Sequence, residues 1–144
     1  MIEVVRFVFS DKKHADIAYA IRQKVFVEEQ EVDPAEEYEF EEDSHHFLLY
    51  KDGLPVMTAR WRETGKGIKL ERFAMLKDYR NRGLGSLLLQ EIVKDVRPFQ
   101  KKIYLHAQLK AVPFYEREGF VAEGDIFEES GILHYLMTIP VQLP

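Results

Sequence analysis

Residues 68–96 read IKLERFAMLKDYRNRGLGSLLLQEIVKDV, and the fold turns on how this stretch is read. Residues 68–76 have the composition of a strand. From about Gly85 to Val96 apolar residues recur at helical spacing, and Pro98 ends the helix. YRNRGLG, 79–85, joins them with two arginines and two glycines. The first turn of a helix has amides without intrahelical partners, and its dipole favours an anion. Gly83 and Gly85 let the backbone approach a bulky ligand, and Arg80 and Arg82 add charge and bidentate hydrogen bonding. Together they make a cradle for a pyrophosphate. No Gly-Lys-Ser/Thr follows, so this is not a Walker loop, and the third glycine of the dinucleotide fingerprint is missing. The competing reading is a glycine-eased turn with surface arginines.

Outward from this junction, residues 2–9 read as a strand, and Asp11 caps a helix whose apolar periodicity runs through 15–30. Residues 45–64 form two strands joined at Asp52-Gly53, a strong hairpin signal. KIYLHAQ, 102–108, is a strand, and VPFYERE, 112–118, a short helix with Pro113 in its first turn and Gly119 behind it. Residues 120–130 and 132–141 close the chain as a hairpin around Ser130-Gly131. The predicted order is β-α-β-β-β-α-β-α-β-β: a mixed α/β fold in one domain, 1–144, with a central βαβ unit.

Cysteine is absent, which excludes disulfides and a cysteine nucleophile and fits a cytoplasmic protein. No apolar run approaches the roughly 20 residues that span a bilayer, and the N-terminus does not read as a signal peptide, so no membrane partner is expected. The net charge of −5 is uneven: residues 28–43 hold ten acids and no Lys or Arg, while the remainder holds 15 acids and 20 bases. A basic body suits an anionic ligand, and an acidic lip suits a cation; the segment is otherwise a solvated loop. Nucleic-acid binding is disfavoured by the negative balance and by the lack of a basic stripe with interleaved aromatics.

Arg80-Asn81-Arg82-Gly83-Leu84-Gly85 resembles the Q/R-x-x-G-x-G/A signature of the GNAT N-acetyltransferases. ERFAMLKDYR, 71–80, is similar to that family's fourth strand, and VPFYEREGF, 112–120, to its last helix and the turn beyond; the motif order covers nearly the whole chain. VFVEEQEV, 25–32, and EESGILHYLM, 128–137, resemble a bacterial subgroup with ElaA and YjcF-like proteins. The resemblance implies a mostly antiparallel sheet flanked by helices, with strands four and five splayed around the pantetheine of acetyl-CoA. It also implies that the backbone of Phe73 and Met75 bonds the pantetheine, and that Arg80 and the amides from Arg82 through Gly83, Leu84 and Gly85 to Ser86 hold the pyrophosphate. Gln108 ends strand five where many relatives carry Asn, and is assigned a contact to the cofactor arm.

The chemistry implied is acetyl transfer to a primary amine of a small molecule or peptide, by direct attack in a ternary complex. It needs a neutral amine, a polarised carbonyl and a protonated leaving thiolate. Tyr115 holds the position of the family's general acid; otherwise it is a half-buried packing aromatic. Period-two alternation puts Glu71 on one face with Phe73 and Met75, which makes it a candidate base; the alternative is an ion pair with Arg60 or Arg72. His45 and His46 open a strand, one facing in and one out. His106 shares a face with Tyr104 and Gln108, and His134 lies in the last hairpin. His134, Glu28 and Glu29 are assigned to the acceptor side, with Arg22, Phe26 and Trp61 as neighbours. The histidine spacing matches no metal-ligand pattern, so no metal is expected. A non-catalytic acyl-CoA-binding module is the alternative function, and the last hairpin could pair with a second copy as a homodimer.

Overall fold

The computed structural model describes residues 1–30 and 39–140; part of the acidic segment, including Glu36 and Glu37, lies outside them. The described chain runs β1 (Ile2–Val8), α1 (Lys12–Arg22), β2 (His45–Lys51), β3 (Leu54–Thr64), β4 (Gly67–Met75), α2 (Leu84–Val96), β5 (Ile103–Gln108), α3 (Val112–Arg117), β6 (Val121–Glu129) and β7 (Ile132–Ile139). The strands form one seven-stranded sheet in the order β1-β2-β3-β4-β5-β7-β6. Only β4 and β5 pair in parallel. Two of the short hairpins, at Asp52-Gly53 and Ser130-Gly131, turn where the sequence predicts, each with two successive positive φ values, which suits the twist of antiparallel strands.

The sheet has two covered faces. On one, Leu84, Leu88, Leu89, Ile92 and Val96 of α2 and Tyr115 of α3 pack on Phe47, Leu49, Ile68, Leu70, Leu105 and Met137. On the other, Ala18 and Ile21 of α1, with Val25, pack on Phe7, Leu48 and Ala74. The helix expected through residue 30 stops being α at Arg22 and continues as a π-helical turn, Gln23–Glu29. The Gln30 amide donates to the Val25 carbonyl at 3.1 Å, so the wide turn runs to Gln30.

β4 and β5 join over only three pairs, Ile68–Ile103, Lys69–Tyr104 and Leu70–Leu105. Beyond them β5 continues along β7 to Gln108–His134, and β4 continues along β3 to Met75–Met57. The two strands are therefore splayed. β4 also bulges: Ala59 of β3 stands opposite both Arg72 and Phe73, and Arg72 has φ 59. The extra residue resets the alternation. Phe73 and Met75 pack with the α2 face, while Glu71 bonds Arg60 and Arg62 on the α1 face. The shared face expected for Glu71, Phe73 and Met75 is thus corrected by the bulge.

The parallel join depends on Gly67. Its φ is 138°, and a Cβ there would stand 2.3 Å from the Lys102 carbonyl oxygen, which accepts from the Ile68 amide at 2.7 Å. Gly67→Ala is expected to destabilise the fold by roughly 3 kcal/mol through combined strain and clash, read as a lowered urea midpoint. An unchanged midpoint would mean that this end of β4 relaxes freely.

Candidate active site

The splay opens a cleft of about 230 Å³ that reaches both faces of the sheet. Phe73, Ala111 and Tyr115 line it from the α2–α3 side. Lys69, Glu71, His106, Gln108, Glu129 and His134 line it from the other, joined by Phe26 and Gln30 from the π turn.

The candidate cradle lies at the start of α2, beside Met75 and Phe114. Gly83 caps α2 in the left-handed region at φ 79, and a Cβ placed there would meet nothing within 4 Å. Among the described residues none of the amides from Arg82 to Ser86 donates to a backbone carbonyl; the Leu87 amide is the first that does, to Gly83. An outward-facing row of unpaired amides fits an anion. The two glycines differ in surroundings: a Cβ on Gly85 would make ordinary contacts, 3.5 Å from Met75 and Phe114, where α2 packs on the core. The Ser86 hydroxyl donates to Glu118 at 2.7 Å, which leaves its amide for the cradle. Arg80 Nε and Nη2 donate to the Met75 carbonyl at 3.0 and 2.8 Å, and Nη2 also reaches both oxygens of Glu29 at 3.1 Å. Arg80 therefore braces the loop and occupies one of the backbone groups expected to meet pantetheine. Arg82 lies over the Tyr79 ring, 5.6 Å from its centroid.

Tyr115 is nearly buried, edge-on to Phe114, Phe120 and Phe73 at 5.1, 5.9 and 6.2 Å. Burial pushes its phenol well above the usual value, so it stays protonated. Among the described residues its hydroxyl has no hydrogen-bond partner, although the residue lines the cleft.

Glu71 is an ion-pair node. Arg60 grips it through Nε, at 2.9 Å, and through Nη2; Arg62 Nε donates at 2.9 Å, and Lys69 Nζ stands 3.5 Å away. Burial alone would lift its acidity constant, but the charge of Arg60, then of Lys69 and Arg72, overrides this and holds the carboxyl at about 2. A carboxylate held so low is a poor proton acceptor. The network extends to Glu41, whose Oε1 accepts from Arg22 at 2.6 Å and Arg60 at 2.7 Å. Arg22 and Arg60 are fully buried, so Glu41 neutralises the interior rather than charging the mouth. Of the acidic segment 28–43, Glu41 therefore turns inward, while Glu28, Glu29, Glu39 and Glu42 are exposed.

Glu28 is exposed, and neither it nor Glu29 lines the cleft. Gln108 does, and its Nε2 donates to Gln30 at 3.0 Å. Trp61 lies apart from the cleft, stacked on His45 at 4.0 Å. His134 is buried in the cleft wall, where sequence reasoning missed its companion Glu129. The Glu129 carboxylate accepts from His106 Nδ1 at 3.2 Å and lies 3.8 Å from His134 Nε2. That hydrogen bond is the main reason the carboxyl falls to about 2; burial opposes it, and the charges of Lys69, His106 and His134 add to it. A signal was present. The two-residue turn at Ser130-Gly131 pairs Phe127 with His134, and Glu129 then follows on the same face by alternation.

Residues 9–141 match the acetyltransferase (GNAT) domain. The chain is 38% identical over 124 residues to the N-acetyltransferase YjcF of Bacillus subtilis, covering 83% of this chain and 88% of that one. It superposes on Escherichia coli ElaA with a TM-score of 0.86 at 24% identity, covering 97% and 100% of the two chains. A GNAT acetyltransferase from Elizabethkingia anophelis, solved with acetyl-CoA bound, superposes with a TM-score of 0.71 at 13% identity over 96% and 97%. The parallel join that opens into a splay and the glycine-capped α2 are thus found in a chain that belongs to the GNAT family, the acetyl-CoA-dependent N-acetyltransferases.

Proposed function

We propose that the protein moves the acetyl group of acetyl-CoA to a primary amine of a small molecule or peptide, by direct attack within a ternary complex. One observation carries this reading: a single cleft runs through the sheet from Phe73 and Tyr115 on one face to the Glu129–His134 pair on the other. A thioester held along the splay supplies an activated acyl carbon. The amides from Arg82 to Ser86 suit its pyrophosphate, and the splayed edge of β4 at Phe73 suits its pantetheine, while the Met75 carbonyl already accepts from Arg80. Tyr115 holds a proton where the sulfur would leave. The absence of cysteine removes an acyl-cysteine route and favours direct attack. The acceptor enters from the side of Phe26, Gln30 and Glu129, where a carboxylate favours a cationic amine.

The test has two arms. Coenzyme A release is followed with spermidine, glucosamine and a lysine-containing peptide, and at least one is expected to be acetylated. Calorimetry then compares acetyl-CoA binding by the parent and by Gly83→Val. The added side chain has room in the protein but stands over the cradle amides, and its left-handed backbone costs about 1–2 kcal/mol. At least a 100-fold loss of affinity, about 2.7 kcal/mol, is expected with circular dichroism unchanged. Equal affinity in a folded variant would move the cradle elsewhere.

A further inference from the structure

We propose that His134 accepts the proton of the attacking amine through Nε2, and that Glu129 is the positioning residue that stabilises the resulting imidazolium. This rests on the amine-acetylation reading above.

The Ile132 carbonyl stands 2.7 Å from His134 Nδ1. A carbonyl oxygen can only accept, so Nδ1 carries the ring hydrogen, and in the neutral ring Nε2 holds the lone pair. Nε2 faces Glu129 Oε2 at 3.8 Å, a carboxylate with no hydrogen to offer. A lone pair beside a negative charge gains when it takes a proton. The ring is held by Phe127, stacked on it at 5.8 Å and 19°. His106 donates to the other oxygen of Glu129 and so fixes the carboxylate.

Charged groups reach this pair from several elements. Lys69, Glu71 and Arg72 come from β4, His106 from β5, Glu129 from β6 and Lys110 from the turn after β5, while Arg62 of β3 and Glu39 line the adjoining cavity. Glu71 is engaged by Arg60 and Arg62, whereas Glu129 Oε2 stands 3.8 Å from Nε2 and balances the new cation there.

Proton flow then has a direction. The amine, neutral after one proton goes to solvent, forms the N–C bond with its lone pair. The C–S bond breaks, its electron pair stays on sulfur, and sulfur takes the Tyr115 proton. The surplus proton on nitrogen goes to His134 Nε2. Imidazolium and phenolate exchange that proton through water, which restores both side chains. His134 and Tyr115 line the same cleft from opposite faces, so acid and base need not compete for one side of the substrate.

The experiment combines spectroscopy with kinetics. Long-range ¹H–¹⁵N spectra of the unmodified protein should show neutral His134 with hydrogen on Nδ1. His134→Gln should lower kcat/KM about 100-fold for whichever of spermidine, glucosamine and the lysine peptide is acetylated, with acetyl-CoA affinity kept. Glu129→Gln should move the acidic limb of the pH–rate profile to lower pH and lower the plateau. His106→Gln should leave an acidic limb in place. A hydrogen on Nε2 of the neutral ring, parent-like turnover of His134→Gln, or an unmoved limb in Glu129→Gln would each overturn the assignment. Should His134→Gln fail to fold, the tautomer and the Glu129 variant still decide. If the unmodified protein acetylates none of the three amines, the amine-transfer reading itself falls, and the base falls with it.

Discussion

Tyr115→Phe is expected to lower turnover by about 10²–10⁴-fold while acetyl-CoA affinity stays within experimental error. The substitution removes one oxygen and leaves the ring against Phe73, Phe114 and Phe120. Binding should be spared because the cradle amides belong to Arg82–Ser86, at the start of another helix. Turnover should suffer because a thiolate released beside these rings has little solvent to stabilise it. Burial makes the phenol a weaker acid, but it raises the energy of the thiolate at the same spot, so sharing the proton remains favourable. The measurement is single-turnover acetyl transfer, with calorimetry for binding. Unchanged turnover under conditions where chemistry limits the rate would reduce Tyr115 to a packing residue.

Glu71→Gln is expected to destabilise the fold by about 3–5 kcal/mol, because it removes one partner from a buried pair. Among the described residues, Arg60, fully buried, would keep Glu41 alone as a counter-charge. The same carboxylate predicts an acid dependence. Its acidity constant falls from 4.5 to about 2 on folding, so its contribution is complete above pH 4.5 and fades as the pH drops toward 2. That contribution amounts to roughly 3 kcal/mol, and the variant should lack this part of the acid sensitivity. Urea denaturation at pH 7 and at pH 3 checks both statements. A variant as stable as the parent but slow in acetyl transfer would instead return Glu71 to the role of base.

Much of this architecture can be read directly from the sequence. Asp52-Gly53 and Ser130-Gly131 mark their hairpins, because few residue pairs tolerate two positive φ values. The glycine junction marks the start of α2 and its unpaired amides, since a strand end, a helix start and two arginines meet there. Elements set by distant partners are harder to read. Arg72 adopts a left-handed backbone with no glycine to announce it, so simple alternation puts Glu71 on the wrong face. Glu41 looks like one acid among ten, and its burial depends on Arg22 and Arg60, which are 19 residues away on either side. The π turn is hidden for a related reason. Its apolar spacing matches an ordinary helix, and only the wide Gln30–Val25 bond reveals the step that brings Gln30 to the cleft.

The three-pair join between β4 and β5 has a mechanical consequence. It divides the sheet into two plates, β1–β4 and β5–β7, fastened at one end by Ile68–Leu70 and Ile103–Leu105. A slight pivot at that end would widen or narrow the cleft that Tyr115 and His134 line. The stiffness of the pivot resides in Gly67, Lys102 and the apolar residues beneath α2, all remote from any reacting atom. Substitutions there would tune the spacing of acid and base as a jaw is tuned at its hinge, without touching either side chain.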